Sequence, residues 1–426
     1  MASVAGLTRI GKLLQMKILV VGSGAREHAI IKALIRTGTD ANDIVCAPGN
    51  KYIAKQVEVR ALDDACDKLA VTRIALEEAV DLAIIGPEAP LVAGVADALR
   101  TQGIQVFGPN QKAAALEGSK QFAKEVMAAQ DIPTGMSRRC DTISEVQAAM
   151  DQFGAPYVIK ADGLAAGKGV VVTRDKQEAL DHAAKFLDEG VLVEEFLEGE
   201  EVSLFFLSDG TNVMPLSPAQ DYKRAFDNNE GPNTGGMGAY SPLPWLPEGF
   251  VAEVTKRIAQ PTINELKKLD AEFIGLLYCG LIITERGIRV IEYNARFGDP
   301  ETQVVLARLT TNLAELLMSA ASGKLDVGPV AEFSDKVAVT VVLASEGYPT
   351  RTAPVREVTG IESAESMDDV EICKAGDTGR VLSVVGLADS FPEARALAYE
   401  GMSRIKLEGS HFRTDIALKL QEKAAG

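Results

Sequence analysis

The stretch APYVIKADGLAAGKGVVVT, Ala155 to Thr173, sets the reading of the whole 426-residue chain. Tyr157, Val158 and Ile159 predict a short buried strand that ends on Lys160, and Val170 to Val172 predict its partner. Between them lies a hairpin loop dense in glycine. Gly163, Gly167 and Gly169 carry no Cβ, so backbone N–H groups there can close on a phosphate, while Lys160 and Lys168 bring positive charge. A phosphate clamp and an ordinary glycine-rich hairpin both fit this loop, and the rest of the chain must decide between them.

Length at about 150 residues per domain predicts two to four domains. The chain is 46% hydrophobic and 24% charged, and no apolar run approaches the ~20 residues needed to span a bilayer, so no membrane association is expected. The formal charge is −16 and no run of Lys or Arg occurs; a nucleic acid would meet net repulsion and is not expected as a partner. Cys46, Cys66, Cys140, Cys279 and Cys373 are odd in number, far apart and form no C-x-x-C pair, which predicts a reducing cytoplasm and no zinc site. Residues 1–15 carry Arg9 and Lys12 and no acid, but they lack a long apolar core and a clear cleavage site. They are read as an early translational start or an added tail and are left out of the fold.

Lys17 to Val21 predicts a strand, GSGAREH a glycine turn, and Ala29 to Ile35 a buried helix, the opening of a Rossmann-like unit. A dinucleotide site is rejected, because G-x-G-x-x-G fails at Glu27 and the strand Ile44 to Cys46 runs into Ala47-Pro48-Gly49-Asn50 without a ribose-binding acid. The helix start behind Gly22 and Gly24 can still hold one phosphate, with Arg26 and His28 nearby, or be only a tight turn. Strands Asp81 to Ile85 and Gln105 to Phe107 end at GPEAPL and GP, and ligands of open parallel sheets collect beyond such ends. Glu88 therefore stands where a ligand hydroxyl or amine could be held, or faces water as a loop acid.

Ser119 predicts the cap of a helix from Lys120 to about Gln130, with Lys120 and Lys124 on one face. An α+β segment follows, roughly Pro133 to Glu201. Its last strand, Val191 to Leu197, runs into Glu198-Gly199-Glu200-Glu201, acids that could hold a ribose or face water. AQDYKR (Ala219 to Arg224) and GPNTGGMGA (Gly231 to Ala239) make a long polar, glycine-rich stretch of a kind that is usually functional or disordered. A helix Val251 to Lys268 and strands Leu276 to Thr284 and Arg289 to Tyr293 lead to IEYNARFGDPETQ. Glu292 and Asn294, two apart on a strand, share a face and offer oxygen ligands to a hard cation such as Mg2+. Arg296, Asp299 and Glu301 lie within reach of the same end. From about Pro329 a smaller α+β pattern begins, with strands Val337 to Ala344 and Arg380 to Gly386 and an amphipathic helix Phe391 to Leu407.

A lysine-and-glycine clamp, acids after the next strand and a Glu-x-Asn pair after a later one are the parts needed to hold ATP and magnesium for phosphoryl transfer. The chain has no G-x-x-x-x-G-K-[ST] and no kinase H-R-D or D-F-G signature. It resembles the ATP-grasp enzymes, and within them the phosphoribosylamine–glycine ligase family. The resemblance runs from Met16 to about Leu418, through GSGAREHA, APGN, GPEAPLVAGV, LEGSK, VIKADGLAAGKGV, VEEFLEGEE, QDYKR, GPNTGGMGAYSP, IEYNARFGDPETQ, GRVLSVVG and FRTDIA. It implies an α/β and α+β multidomain protein with a Rossmann-like substrate-binding domain at 16–117 and an ATP-grasp core at 118–328. A lid subdomain at about 133–200 belongs to that core, and a small C-terminal α+β domain at 329–426 follows. It also implies an activity: ATP-dependent ligation of glycine to 5-phosphoribosylamine through glycyl phosphate, a step of purine biosynthesis. ATP and Mg2+ (or Mn2+) are the implied cofactors, and the implied setting is a cytoplasmic monomer.

Carried over position by position, Lys120, Lys160, Lys168, Gly163, Gly167 and Gly169 surround the ATP phosphates. Glu195, Phe196 and Leu197 flank adenine, and Glu201 takes the ribose. Asp221 and Lys223 lie by the triphosphate and metal, and Glu292 and Asn294 ligate the metal. Arg296, Gly298, Asp299, Pro300 and Glu301 face glycine and the amine, while Gly24, Asn50 and Glu88 bind phosphoribosylamine. Arg296, Lys160 and Asp221 are the residues expected at the chemistry itself. The chain departs from the family pattern in a short segment between the helix Ala179 to Leu187 and Val191, in Tyr348-Pro349 without a preceding glycine pair, and in a compact loop after Thr378. The alternatives are another ATP-grasp carboxylate–amine ligase and, from a different class, a nucleotide-binding regulator on an inactive ATP-grasp scaffold. GSGAREHA, GPEAPL and RFGDPETQ favour phosphoribosylamine and glycine over the first; the intact glycine loop and metal pair speak against the second.

Overall fold

The computed structural model describes residues 16–164 and 169–420. The apolar segments β1 (Ile18–Gly22), β2 (Ile44–Pro48), β3 (Glu58–Val59), β4 (Leu82–Ile85) and β5 (Gln105–Phe107) form a parallel sheet in the order β3-β2-β1-β4-β5. β1 and β4 are buried throughout, as strands covered on both faces must be, which is why they read as unbroken apolar runs. The chain crosses from β1 to β2 on one side and reaches β4 on the other, so the carboxyl ends of β1 and β4 flank the switch-point crevice of a Rossmann-like sheet. Two local features differ from expectation. The helix after β1 spans Ala25–Arg36 and starts earlier than Ala29, because Glu27 turns back to accept the Gly24 N–H at 2.6 Å and closes the first turn. Glu88 is not a loop acid but opens a short helix, Glu88–Val92, where its charge suits the positive end.

The opening stretch lies in a separate antiparallel sheet made of β6 (Ser137–Cys140), β7 (Tyr157–Ala161), β8 (Val170–Thr173) and β9 (Val191–Glu194), in the order β6-β9-β7-β8. Lys160 pairs with Val170 in its hairpin. Helices Ile143–Phe153 and Lys176–Ala184 accompany this sheet, and Cys140, Val146, Met150, Ile159, Val191 and Val193 belong to a small apolar core of its own. Ser137 lies opposite Glu194, and Glu195 N–H donates to Met136 O at 3.0 Å, so the outgoing and returning chain are paired. The strand expected through Leu197 stops at Glu194. The chain must bend there to join the next sheet at Gly199, where a Cβ would lie 2.0 Å from Ile283 O.

The following strands are β10 (Glu200–Asp209), β11 (Val213–Pro215), β12 (Gln220–Asp221), β13 (Arg224–Phe226), β14 (Glu230–Asn233), β15 (Gly238–Ser241), β16 (Ile274–Thr284) and β17 (Gly287–Asn294). The central sheet is antiparallel in the order β11-β10-β16-β17. The helix read as Val251 to Lys268 is broken by a π turn, Thr255–Ala259; Pro261 just beyond lacks the N–H that would continue α-helical bonding. β18 (Val337–Ala344), β19 (Val370–Lys374) and β20 (Arg380–Ala388) complete the chain's strands among the described residues, in a sheet ordered β12-β15-β18-β20-β19. The C-terminal sheet thus takes in β12 and β15 from the glycine-rich stretch, and helix Phe391–Arg404 packs on it, ending before Leu407. Two large apolar clusters run through the N-terminal, central and C-terminal sheets, whereas the β6–β9 unit keeps its own. No helix among the described residues is long and apolar enough to cross a membrane.

Candidate active site

A cleft of about 810 Å³ opens between the β7–β8 hairpin, the central sheet and the glycine-rich segment. Lys160, Gly163 and Gly169 reach it from the β7–β8 hairpin and Lys120 from the start of helix Lys120–Ala129, with Glu195, Phe196 and Leu197 from the bend after β9. Glu201, Asp221, Lys223, Glu292, Asn294, Arg296, Asp299 and Glu301 line the opposite side, and Glu88 and Arg26 close it toward the parallel sheet. Gly24, Asn50, Gly298 and Pro300 do not border the cleft. Gly167 and Lys168 lie outside the described residues.

Lys160, next to last in β7, is almost fully buried, its Nζ 3.0 Å from Glu194 Oε2 and donating to Ile291 O at 3.1 Å. Lys124 Nζ reaches the same Glu194 oxygen at 3.3 Å and also donates to Thr134 Oγ1 and Gly135 O. One buried carboxylate therefore holds two ammonium groups, leaving a net positive wall that an anion can complete. Lys120 Nζ donates to Gly163 O at 3.0 Å, and burial holds the Lys120 ammonium below its ordinary range despite nearby Glu292. Lys124 and Glu194 stand in the motifs LEGSK-x-x-x-K and VEEF, but only the fold reveals their pairing.

Across the cleft, burial pushes the Glu292 carboxyl up, but Lys223, Lys160, Lys120 and Arg296 together outweigh it and leave it below the usual carboxylate range. Lys223 Nζ sits 2.8 Å from Glu201 Oε2 and 4.0 Å from Glu292 Oε1. Asp221 is the opposite case: burial, with Glu301 close by, raises it well above the ordinary value, and its Oδ1 has no hydrogen-bond partner. Glu301 Oε1 accepts from Tyr278 Oη at 2.7 Å and Ser203 Oγ at 3.2 Å. Gly236 lets the backbone pass here, since a Cβ would lie 2.6 Å from Asp221 Oδ1 and 2.4 Å from Pro300 Cδ. Among the described residues no three His, Cys, Asp or Glu side chains gather as a ready metal site. A carboxylate and an amide on one strand, with an orphaned carboxylate oxygen in the same cleft, suit a Mg2+ that draws its remaining oxygens from substrate phosphates and water.

Arg296 is held between two acids of the N-terminal part, Nε 3.1 Å from Glu88 Oε2 and Nη2 3.0 Å from Glu117 Oε1. Glu117 Oε2 also accepts the Ala295 N–H at 2.7 Å. Burial pushes the Glu117 carboxyl up, whereas Arg296 and Arg26 outweigh burial at Glu88 and lower it. Arg380 Nη1 donates to Asp299 O and Gly235 O, tying β20 to the loop after β17. Beside the parallel sheet, Asn50 Nδ2 donates to Ser23 O and Lys374 O. His28, expected near a phosphate, is instead buried: desolvation lowers it to about 3, and its Nδ1 accepts the Lys374 N–H.

Residues 118–302 match the phosphoribosylglycinamide synthetase ATP-grasp (A) domain, residues 16–117 its N domain and residues 338–419 its C domain. The chain belongs to the phosphoribosylglycinamide synthetase family. A phosphoribosylamine–glycine ligase of Leifsonia xyli subsp. xyli is 58% identical over 419 residues, covering 95% of this chain and 100% of that protein. One of Streptomyces coelicolor is 54% identical over 417 residues, with 95% and 99% covered. The crystal structure of the Thermotoga maritima phosphoribosylamine–glycine ligase superposes with a TM-score of 0.81 at 30% identity, covering 94% of this chain and 100% of that one. The biotin carboxylase domain of Hydrogenobacter thermophilus 2-oxoglutarate carboxylase, solved with MgADP and bicarbonate, shares the fold at a TM-score of 0.70 and 16% identity, covering 93% of this chain and 92% of that one. The chain thus carries the N, ATP-grasp (A) and C domains of the phosphoribosylglycinamide synthetase family.

Proposed function

We propose that this chain ligates glycine to 5-phosphoribosylamine at the expense of ATP, giving glycinamide ribonucleotide, ADP and phosphate in purine biosynthesis. The observation that carries the reading is that a positive lid wall, the Glu292–Asn294 pair and Arg296 between two acids all open on one cleft. In this reading a glycine carboxylate oxygen attacks the γ-phosphorus of ATP, forming glycyl phosphate and releasing ADP. The amine then attacks the acyl carbon, and phosphate leaves. Phosphoryl transfer of this kind needs positioning and charge neutralisation more than a side-chain nucleophile.

Lys120, Lys160 and the Gly163 and Gly169 backbone cradle the phosphates, a role expected also of Gly167 and Lys168. Glu195 to Leu197 flank adenine, and Glu201 takes the ribose. Glu292 and Asn294 would hold Mg2+ or Mn2+, which would supply charge neutralisation at the phosphates. Lys223 neutralises the same region, and Asp221 lies with it by the triphosphate and metal. Arg296 with Gly298 to Glu301 orients the glycine carboxylate, while Glu88 meets the amine and Gly24 and Asn50 the rest of phosphoribosylamine. The division proposed for the chain is 16–117, 118–328 with its lid at about 133–200, and 329–426, acting as a monomer in the cytoplasm.

The test is ADP formation by the purified protein with 5-phosphoribosylamine generated in place. ADP should appear only when glycine and the amine are both present. Phosphate release with other amino acids, and none with glycine plus 5-phosphoribosylamine, would overturn the reading in favour of another carboxylate–amine ligase.

A further inference from the structure

Asp162 is the first residue past β7, at the root of the glycine loop, and its side chain is 7% exposed. It does not border the cleft, and no step of the reaction proposed above employs it. Its polar groups are nonetheless all engaged. Oδ1 accepts from Ser119 Oγ at 3.1 Å and from the Gln121 N–H at 3.2 Å, and Oδ2 accepts from Arg139 Nη1 at 2.7 Å. The Asp162 N–H donates to Gly190 O at 3.0 Å. These partners come from the start of helix Lys120–Ala129, from β6 and from the residue before β9.

The opening N–H groups of a helix find no partner within it. In helix Lys120–Ala129 Ser119 Oγ takes the Phe122 N–H at 3.1 Å, and Asp162 takes the Gln121 N–H from outside the element. A carboxylate at that end also suits the helix dipole. The same turn carries Lys120, whose Nζ donates to Gly163 O at 3.0 Å. Two adjacent residues of the loop root therefore hold one helix turn, Asp162 by its backbone and Gly163 by its lysine. Burial and Lys160 both disfavour the Lys120 ammonium, while Glu292 and Asp162 favour it, so Asp162 offsets part of the repulsion between the two lysines.

We propose that Asp162 is a positioning residue that sets the spacing of Lys120 and Lys160 around the ATP phosphates. This rests on the functional reading above, in which those two lysines hold the phosphates. Lys160 is fixed by Glu194 of its own sheet and by Ile291 O of the central sheet, whereas Lys120 belongs to a helix outside both. One carboxylate bonded to that helix and continuous with β7 makes the distance between the lysines a property of the folded protein, set before the nucleotide arrives. Without it each lysine keeps its own element, but their relative placement must be ordered by the phosphates themselves, at a cost in affinity that the adenine and ribose do not share. Asp162 acts through Lys120.

The test is equilibrium titration of the full chain with MgATP and with adenosine, which shares the base and ribose and lacks the phosphates. Asp162→Ala should weaken ATP binding by about tenfold, while adenosine binding, KM for glycine and KM for 5-phosphoribosylamine stay unchanged. Asp162→Asn keeps an oxygen for Ser119 and Gln121 and loses only the ion pair with Arg139, itself 39% exposed, so it should recover most of the affinity. Ser119→Gly removes the hydroxyl at little cost to the helix. It should give a smaller loss for ATP, and adding it to Asp162→Ala should cost nothing further, because both break one connection. Unchanged ATP affinity in Asp162→Ala, equal losses for ATP and adenosine, or additive losses in the double variant overturn the proposal. Where Asp162→Ala does not fold, Ser119→Gly decides: an ATP-selective loss supports the role, and its absence overturns it. Unchanged ATP affinity in Lys120→Met and in Lys160→Met is a separate result: it removes the phosphate clamp itself, and with it the reason for an ATP-selective effect at Asp162.

Discussion

Arg296 Nη2 lies 3.0 Å from Glu117 Oε1, and the other oxygen of Glu117 holds the Ala295 N–H, so one acid from the N-terminal part fixes both the side chain and the backbone of the Arg296 loop. In the proposed reaction Glu117 is a positioning residue that acts through Arg296. Glu117→Gln keeps the shape and the bond to Ala295 but removes the charge facing a buried guanidinium, at a cost of about 1–3 kcal/mol. The expected outcome is a rise of about tenfold or more in KM for glycine with KM for ATP unchanged. A variant with unaltered glycine kinetics but a lowered Tm would assign Glu117 a purely structural part.

Lys160→Ala and Glu292→Ala should each lower turnover by about two to three orders of magnitude, because each removes charge stabilisation from the transfer step. Both should remain folded by circular dichroism: Glu194 keeps Lys124 as a partner in the first, and Lys223 keeps Glu201 in the second. Chelating the divalent metal should abolish ADP formation and added Mg2+ should restore it, with Glu292→Ala needing more Mg2+ than the wild type. Single-turnover phosphate release reads all of these.

Met150 is buried in the small core of the β6–β9 unit, apart from the two clusters that join the other sheets. Met150→Ala should cost about 2–5 kcal/mol, confined to that unit. Hydrogen exchange should quicken at β6, β7 and β9 and stay unchanged at β1 and β16. Uniform acceleration across the chain would show that the lid does not open on its own.

Lys374 gives a pH signature. Its amine has a folded value of about 8 against an ordinary 10.5, so between those limits the unfolded chain binds the extra proton. Stability must then rise with pH across that window, by about 1.4 kcal/mol per unit from this group. The wild type should gain stability relative to Lys374→Met as pH climbs from 8 toward 10, with Lys374→Met the more stable protein at pH 7. Urea titrations of both proteins at four or five pH values check the sign; parallel curves would contradict it.

Much of the site is legible in the amino-acid sequence, for a physical reason in each case. β1 and β4 announce themselves as continuous apolar runs because helices cover both faces of a parallel sheet. Glu292 and Asn294 fall together because side chains alternate along a strand. The features that stay hidden depend on partners far along the chain. Glu117 meets Ala295 across 178 positions, and no local pattern marks it. β12 and β15 look like glycine-rich loop until β18 joins them in one sheet. Glu194 reads as one more strand residue until two lysines from separate elements converge on it. Glu88 reads as a loop acid because its helix is only five residues long, too brief to show a period.

The pairing of Ser137 with Glu194 carries an evolutionary corollary. A segment whose two ends are adjacent strands can be lengthened, shortened or exchanged without rerouting the chain on either side. Related enzymes can therefore vary this insert widely while Lys160, at its inner edge, keeps its station over the central sheet.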